Sequence, residues 1–257
     1  LLGLTAYMTM RGLLALLRVN LIEVTNVNLA ATEIPNQGID TLIATAIGIE
    51  NDDIVSWGVA LMLGLGLIVF AFLSQSFRKS FDNILAGLAI GLIITAGWYV
   101  TGVIGFDDFD PVRMESYTFI APAGESLMYL ATFTGSTINF GVAAVFGVIL
   151  GSFIYVILTG RFRLETFSDR GDMLRHIFGG IAMGFGGVLA LGCTIGQGVT
   201  GMSTLATGSL LSLISIIFGS ALTMKIEYYR LEELSFFAAL RQSLADMKLF
   251  PGTRHTN

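Results

Sequence analysis

Apolar residues in this chain come in long uncharged stretches, not in the short alternation of a half-buried sheet. Charge-free windows cover residues 54–73, 84–106 and 137–158. A further uncharged run, from His176 to Met224, is long enough for about two bilayer crossings at ~20 residues each. Residues 1–17 form one more window, interrupted by Arg11. Segment 117–135 is too short to cross and contains Pro122-Ala123-Gly124-Glu125, so it is expected to be a re-entrant or interfacial half-helix with Pro122 near its start. From Glu227 to Phe250, Leu231, Leu234, Phe237, Leu240, Leu244 and Met247 recur at helical spacing, which predicts an amphipathic helix on the membrane surface. The pattern predicts an all-α integral membrane protein, a multi-span helical bundle with re-entrant or discontinuous half-helices. A membrane barrel would instead show short segments of alternating hydrophobicity.

Composition agrees: 54% of the residues are hydrophobic and 13% charged, against about 25% charged in soluble domains. The charges orient the spans. Residues 19–53 carry six acids and no Lys or Arg, and residues 107–125 carry five acids and only Arg113. Arg78 and Lys79, then Arg161, Arg163, Arg170 and Arg175, then Lys225, Arg230, Arg241, Lys248 and Arg254 form three basic regions. The positive-inside rule places those three, including the C-terminus, in the cytoplasm of a multi-pass inner-membrane protein. Residues 1–225 read as the membrane domain and 226–257 as a cytoplasmic tail. The first residues, Leu1-Leu2-Gly3-Leu4, read as the middle of a membrane helix without the basic start of a signal peptide, so the chain is expected to begin inside a longer protein.

A weak internal pseudo-repeat relates residues 84–91 to 177–184. It has two readings, duplication or the small-residue spacing common wherever membrane helices pack closely.

Candidate chemistry concentrates in Gly192-Cys193-Thr194-Ile195-Gly196-Gln197-Gly198-Val199-Thr200-Gly201, which holds the chain's one cysteine. Residues 179–208 contain ten glycines. Close helix packing accounts for Gly179, Gly180, Gly184 and Gly187. It does not account for Gly196-Gln197-Gly198, where helix propensity collapses. Backbone that leaves the helix at membrane depth must line a cavity or be buried in protein. A break at Gly196–Gly198 would free N–H donors, and a helix restarting near Thr200 or Ser203 would aim its positive end at the gap, which favours an anion. Cys193 is read either as a buried small hydrophobe or as a soft donor beside that anion. Arg11 is read as an anion contact or as a residue at a membrane face. Met8-Thr9-Met10 has no His or second Cys beside it, Asp107-Asp108-Phe109-Asp110 reads as a solvated loop, and no metal or cofactor site is expected. Nothing activates a nucleophile, so no enzyme is expected. No acid lies between His176 and Met224, which argues for facilitated passage without an internal proton relay.

The block from Gly179-Gly180-Ile181-Ala182-Met183-Gly184 through Ala190-Leu191-Gly192-Cys193 to Gly201 resembles the second Gly-Cys-x-x-Gly block of the YeeE/YedE family of bacterial sulfur-compound membrane proteins, which includes thiosulfate transporters. Ala6-Tyr7-Met8-Thr9-Met10-Arg11-Gly12 resembles the segment after that family's first cysteine block, which has no counterpart here. The resemblance covers roughly residues 1–225. It implies a pseudo-symmetric fold with short helices dipping in from each side. It also implies thiosulfate passing a narrow middle by contacts to cysteines, with Cys193 as the second-half pathway cysteine, and a cytoplasmic sulfur-carrier (TusA-like) partner. The combined expectation is uptake of thiosulfate or a related small sulfur anion. Cys193 would contact its sulfur, the backbone from Thr194 through Gly196 to Gly198 would bind its oxygens, and Thr194, Gln197 and Thr200 would be polar lining. The alternative is a non-transporting membrane subunit whose glycine block is a packing seam and whose tail recruits the carrier.

Overall fold

The computed structural model describes residues 1–23, 36–48, 52–107, 109, 113–232 and 234–247. Among them it is all-α, with one isolated β-bridge between Gly38 and Ala206.

The apolar windows become the long helices. These are α4 (Asp52–Leu73), α6 (Phe81–Tyr99, continued by the π-helical turn Val100–Ile104), α8 (Phe140–Leu158) and α10 (Thr207–Leu231), each long and apolar enough to cross a bilayer. Leu65, Phe70, Leu92, Ile149 and Ile217 stand exposed along their sides. Hydrocarbon is the solvent for such a surface, so nothing drives it into a core. The helix ends carry ordinary chemistry. Asn139 caps α8 by accepting the N–H of Val142 at 2.8 Å, and Asp169 accepts that of Asp172 at 2.6 Å.

A further span is bent. The first helices, α1 (Leu2–Arg11) and α2 (Leu13–Leu17), meet at 54° around Gly12. A Cβ on Gly12 would sit 2.8 Å from the Cα of Met8, so the bend needs glycine there. Short helices α3 (Ile39–Ile47) and α5 (Gln75–Lys79) flank α4. The 117–135 segment contains α7 (Ile120–Ala131) with Pro122 in its first turn. Its 12 residues span about 18 Å, well short of the ~30 Å hydrocarbon thickness, as expected for a half-helix.

The 176–224 run departs from expectation. Its first helix, α9 (Arg170–Leu189), starts in the basic loop, and its uncharged part is only about 21 Å long. The chain then breaks at residues 190–193, resumes as helix over 194–203, and turns again at 204–206 before α10. Gly196–Gly198, expected to be the gap, lies inside a continuous π-helical stretch, Gly196–Gly201. The tail helix is also divided: α10 runs to Leu231 and α11 covers Phe236–Asp246.

Residues 1–209 form one compact unit, and residues 210–257 a second. In the first, α1 packs on α7 and α9 with backbones nearly touching. A Cβ at Gly3 would lie 2.6 Å from the carbonyl oxygen of Ala123, and one at Gly184 would lie 2.6 Å from that of Leu2. Small residues permit this approach. The seam explains Gly184 and Gly187 but not Gly179, where a Cβ would meet open space. Ala6, Ile120 and Val188 form the buried core of this unit, with Leu2, Met10 and Cys193 packed against it. In the second unit, Lys225 Nζ lies 3.6 Å from Asp246 Oδ2, which also accepts the Tyr229 hydroxyl.

Candidate functional site

Both breaks flanking the 194–203 helix are built on leucine, not glycine. At the first, Leu191 takes a left-handed conformation (φ 57°). The N–H of Gly192 returns to the Gly187 carbonyl at 2.8 Å, and that of Leu191 to Val188 at 3.1 Å. This is the Schellman arrangement that closes a helix C-terminus. At the second, Leu205 is left-handed as well (φ 55°). Its carbonyl accepts from Ile39 at 2.8 Å, and Thr207 bonds Gln37 through both its N–H and its hydroxyl.

Cys193 starts the helix between the breaks. Its Sγ accepts the N–H of Gly196 at 3.4 Å, and its carbonyl accepts that of Gln197 at 2.7 Å. This is the work of an N-cap serine done by a thiol. It consumes two of the donors expected to face the anion. The amides of Thr194 and Ile195 are those a helix start leaves without intrahelical partners. Gln197 is spent on structure: its Nε2 donates to the Ala190 carbonyl at 2.8 Å, and its Oε1 accepts the Ser209 hydroxyl at 2.5 Å. It therefore ties the first break to the start of α10.

An extended segment, residues 113–119, runs between α6 and the 194–203 helix, and hydroxyls hold it on both sides. The Thr101 hydroxyl donates to the Glu115 carbonyl at 2.7 Å, that of Ser116 to the Ile94 carbonyl at 2.8 Å, and that of Thr200 to the Tyr117 carbonyl at 2.7 Å. Trp98 Nε1 donates to Ser203 Oγ at 3.1 Å. Irregular backbone amid apolar helices is thus supplied with partners.

Against this framework lies a cavity of about 420 Å³. The first break contributes Leu191 and Gly192, the 194–203 helix contributes Gly196 and Thr200, and the start of α7 contributes Ile120, Ala121 and Pro122. Four charged residues also line it: Arg18, Arg113, Glu115 and Glu125. Arg18 is held by Glu23, with Nε 3.1 Å from its Oε1. Asn139 Nδ2 donates to Glu125 at 2.9 Å while capping α8. Burial pushes the Glu115 carboxyl up from the usual carboxylate range. Arg113 opposes the shift, Glu125 adds to it, and a hydrogen bond from the Gly141 amide opposes it.

The expected site residues divide. Gly196 and Thr200 line the cavity. Cys193 is not among the lining residues; it packs against the cluster of Ala6, Ile120 and Val188, of which Ile120 and Val188 line the cavity. Thr194 is exposed, Gly198 lies within the π-helical stretch, and Arg11 is exposed at the bend. None of these three, nor Gln197, is among the lining residues. Sequence reasoning missed Arg18, Arg113 and the two glutamates. Arg113 carried a signal, as the lone base in an acidic loop.

The thiosulfate transporter TsuA of Escherichia coli (strain K12) is 30% identical over 143 residues, 56% of this chain and 38% of that protein. The thiosulfate transporter TsuA of Spirochaeta thermophila is 25% identical over 186 residues, 72% of this chain and 52% of that protein. The chain thus spans about half or less of the length of these relatives. The profile described as sulphur transport matches residues 1–222, and the chain belongs to that family.

Proposed function

We propose that this chain forms part of a bacterial inner-membrane importer of thiosulfate or a related small sulfur anion, with its C-terminus in the cytoplasm. One observation carries the reading: a cavity lined by two arginines ends on the broken-helix wall that holds Cys193. Arg18 and Arg113 draw the anion in. Thr118 offers a hydroxyl, while that of Thr200 stays on the Tyr117 carbonyl, and the amides of Thr194 and Ile195 mark the positive end of the helix behind them.

The passage step then needs movement of the wall, since Cys193 is not among the residues that line the cavity. The Schellman turn at Leu191 is the element placed to allow it: it lines the cavity, it stores left-handed strain, and it precedes Cys193 directly. Once exposed, the thiol meets the terminal sulfur of thiosulfate as a soft partner. A TusA-like sulfur carrier on the cytoplasmic side consumes the anion. The names of the two relatives support the choice of thiosulfate.

The test is uptake of labelled thiosulfate by the full-length protein in a bacterial strain lacking other importers. The reading predicts uptake competed by unlabelled thiosulfate. Uptake no higher than in the empty strain contradicts it.

A further inference from the structure

The cavity contains a carboxyl that the passage described above does not use. Glu115 sits at the level of Thr101, near the outer end of α6, on the extended segment that lines the cavity. Every neighbouring element presents it with something that senses charge. Arg113 lies two residues away on its own segment, Glu125 on α7 lines the same cavity and favours the neutral form, and the Gly141 amide at the start of α8 favours the ionised form. Arg18 lines the same cavity beyond α2, with Glu23 as its partner. Glu125 is held in place by Asn139, whose other amide atom caps α8, so the two carboxylates are fixed relative to one helix end.

This arrangement is ill suited to a dianion while both glutamates are ionised. Two negative charges offset Arg113, and Arg18 is already paired. Adding one proton changes the balance of the cavity by a full charge. We infer that Glu115 is a proton-binding site linked to occupancy of the anion site: the cavity takes up a proton from the outer solution as the anion enters. The inference rests on the importer reading, and it supplies a cost-lowering step that reading lacked. The partial burial of Glu115 and the nearby Glu125 already push its carboxyl toward the protonated form before any anion arrives.

The sign of the linkage is fixed. An anion beside Glu115 favours its neutral form, so its pKa is higher in the loaded cavity than in the empty one. Anion affinity therefore rises as pH falls from the loaded-state pKa to the empty-state pKa, and it is flat outside that window. One proton permits a slope of at most about tenfold per pH unit. The acids that set this behaviour lie outside the 176–224 run, so the absence of acids within that run says nothing about proton uptake.

The experiment is thiosulfate binding to the full-length protein in lipid nanodiscs by titration calorimetry between pH 5.5 and 7.5. It is run in two buffers of different ionisation enthalpy, so that proton uptake is counted directly. The wild type should gain affinity as pH falls and take up a fraction of a proton per anion. Glu115→Gln keeps an acceptor for the Gly141 amide, so the fold is retained. It should bind at every pH with the low-pH affinity and no proton uptake. Glu125→Gln should keep the slope but move it to lower pH, because one source of the upward push is gone. A Glu115→Gln protein with the wild-type slope, or wild-type binding without proton uptake, overturns the proton site and leaves the importer reading standing. Failure of the wild type to bind thiosulfate at any pH overturns the importer reading itself.

Discussion

The sulfur of Cys193 accepts the backbone N–H of Gly196 at 3.4 Å. One residue thus starts a helix and packs against the cluster of Ala6, Ile120 and Val188. The two roles make different demands. Capping asks for any small acceptor, and serine or aspartate meets that demand better than a thiol does. Contact with a sulfur anion favours a soft group, which a thiol is and serine or aspartate is not. Cys193 is a weaker cap than serine or aspartate would be, and on the proposed reading its softness serves the anion.

Leu191 is expected to be a strained joint. It is 84% exposed, so its side chain contributes little burial, and its φ of 57° is unfavourable for any residue with a Cβ. Leu191→Gly should raise the thermal midpoint, in line with relief of about 1 kcal/mol. A differential scanning measurement on the detergent-solubilised protein checks this. A lowered midpoint would mean that the leucine is held by contacts stronger than the strain.

Gln197 should matter for folding and little for substrate. Its amide satisfies the Ala190 carbonyl at one end and Ser209 at the other. Gln197→Leu keeps the volume and removes both bonds, at a cost of about 1–3 kcal/mol. The expected result is a lower thermal midpoint, with the apparent KM for thiosulfate unchanged in the protein that remains folded. A raised KM at unchanged stability would return Gln197 to the lining.

How much of this was legible in the sequence follows from what each signal measures. Long apolar windows located α4, α6 and α8 closely, because a lipid-facing helix need only be apolar along its length. The half-helix α7 was legible from length and Pro122. The breaks were misplaced because glycine content was used to find them. The chain instead put leucine in both left-handed positions, Leu191 and Leu205, and wound Gly196–Gly201 into a π-helical stretch. Composition cannot show that tertiary hydrogen bonds hold an unfavourable φ. Nor could it bring Arg18, Arg113 and Glu115 to one cavity, since that depends on how the extended 113–119 segment is stitched between α6 and the 194–203 helix.

Gly196 is expected to fail for a reason more specific than flexibility. A Cβ there would lie 2.5 Å from the Oγ1 of Thr118, which lines the cavity. Gly196→Ala should displace that side chain and reduce uptake about tenfold, equivalent to 1.4 kcal/mol, with overpacking of about 1–3 kcal/mol in stability. Adding Thr118→Ala removes the clashing oxygen and should recover most of the loss. Without recovery in the double variant, the effect of the alanine lies elsewhere.

The arginines separate the cavity from the bend. Both side chains are exposed, but Arg113 lines the cavity and Arg11 does not. Arg113→Gln should raise the KM for thiosulfate about tenfold or more, as loss of a charge-assisted contact of about 1.5–3 kcal/mol requires. Arg11→Gln should leave it within about twofold, the effect of a charge screened by solvent. Equal effects from the two would place the anion away from this cavity.

The central claim is that the Cys193 thiol serves passage of the anion rather than the fold, and Cys193→Ser tests it most directly. A hydroxyl caps the 194–203 helix at least as well as the thiol, so the thermal midpoint should be unchanged or higher, whereas Cys193→Ala should lose about 1 kcal/mol with the cap. Thiosulfate uptake by the full-length Cys193→Ser protein, measured beside its thermal midpoint at matched membrane levels, should fall at least about tenfold. Wild-type uptake in that stable variant would contradict the account, leaving Cys193 as a helix cap and nothing more.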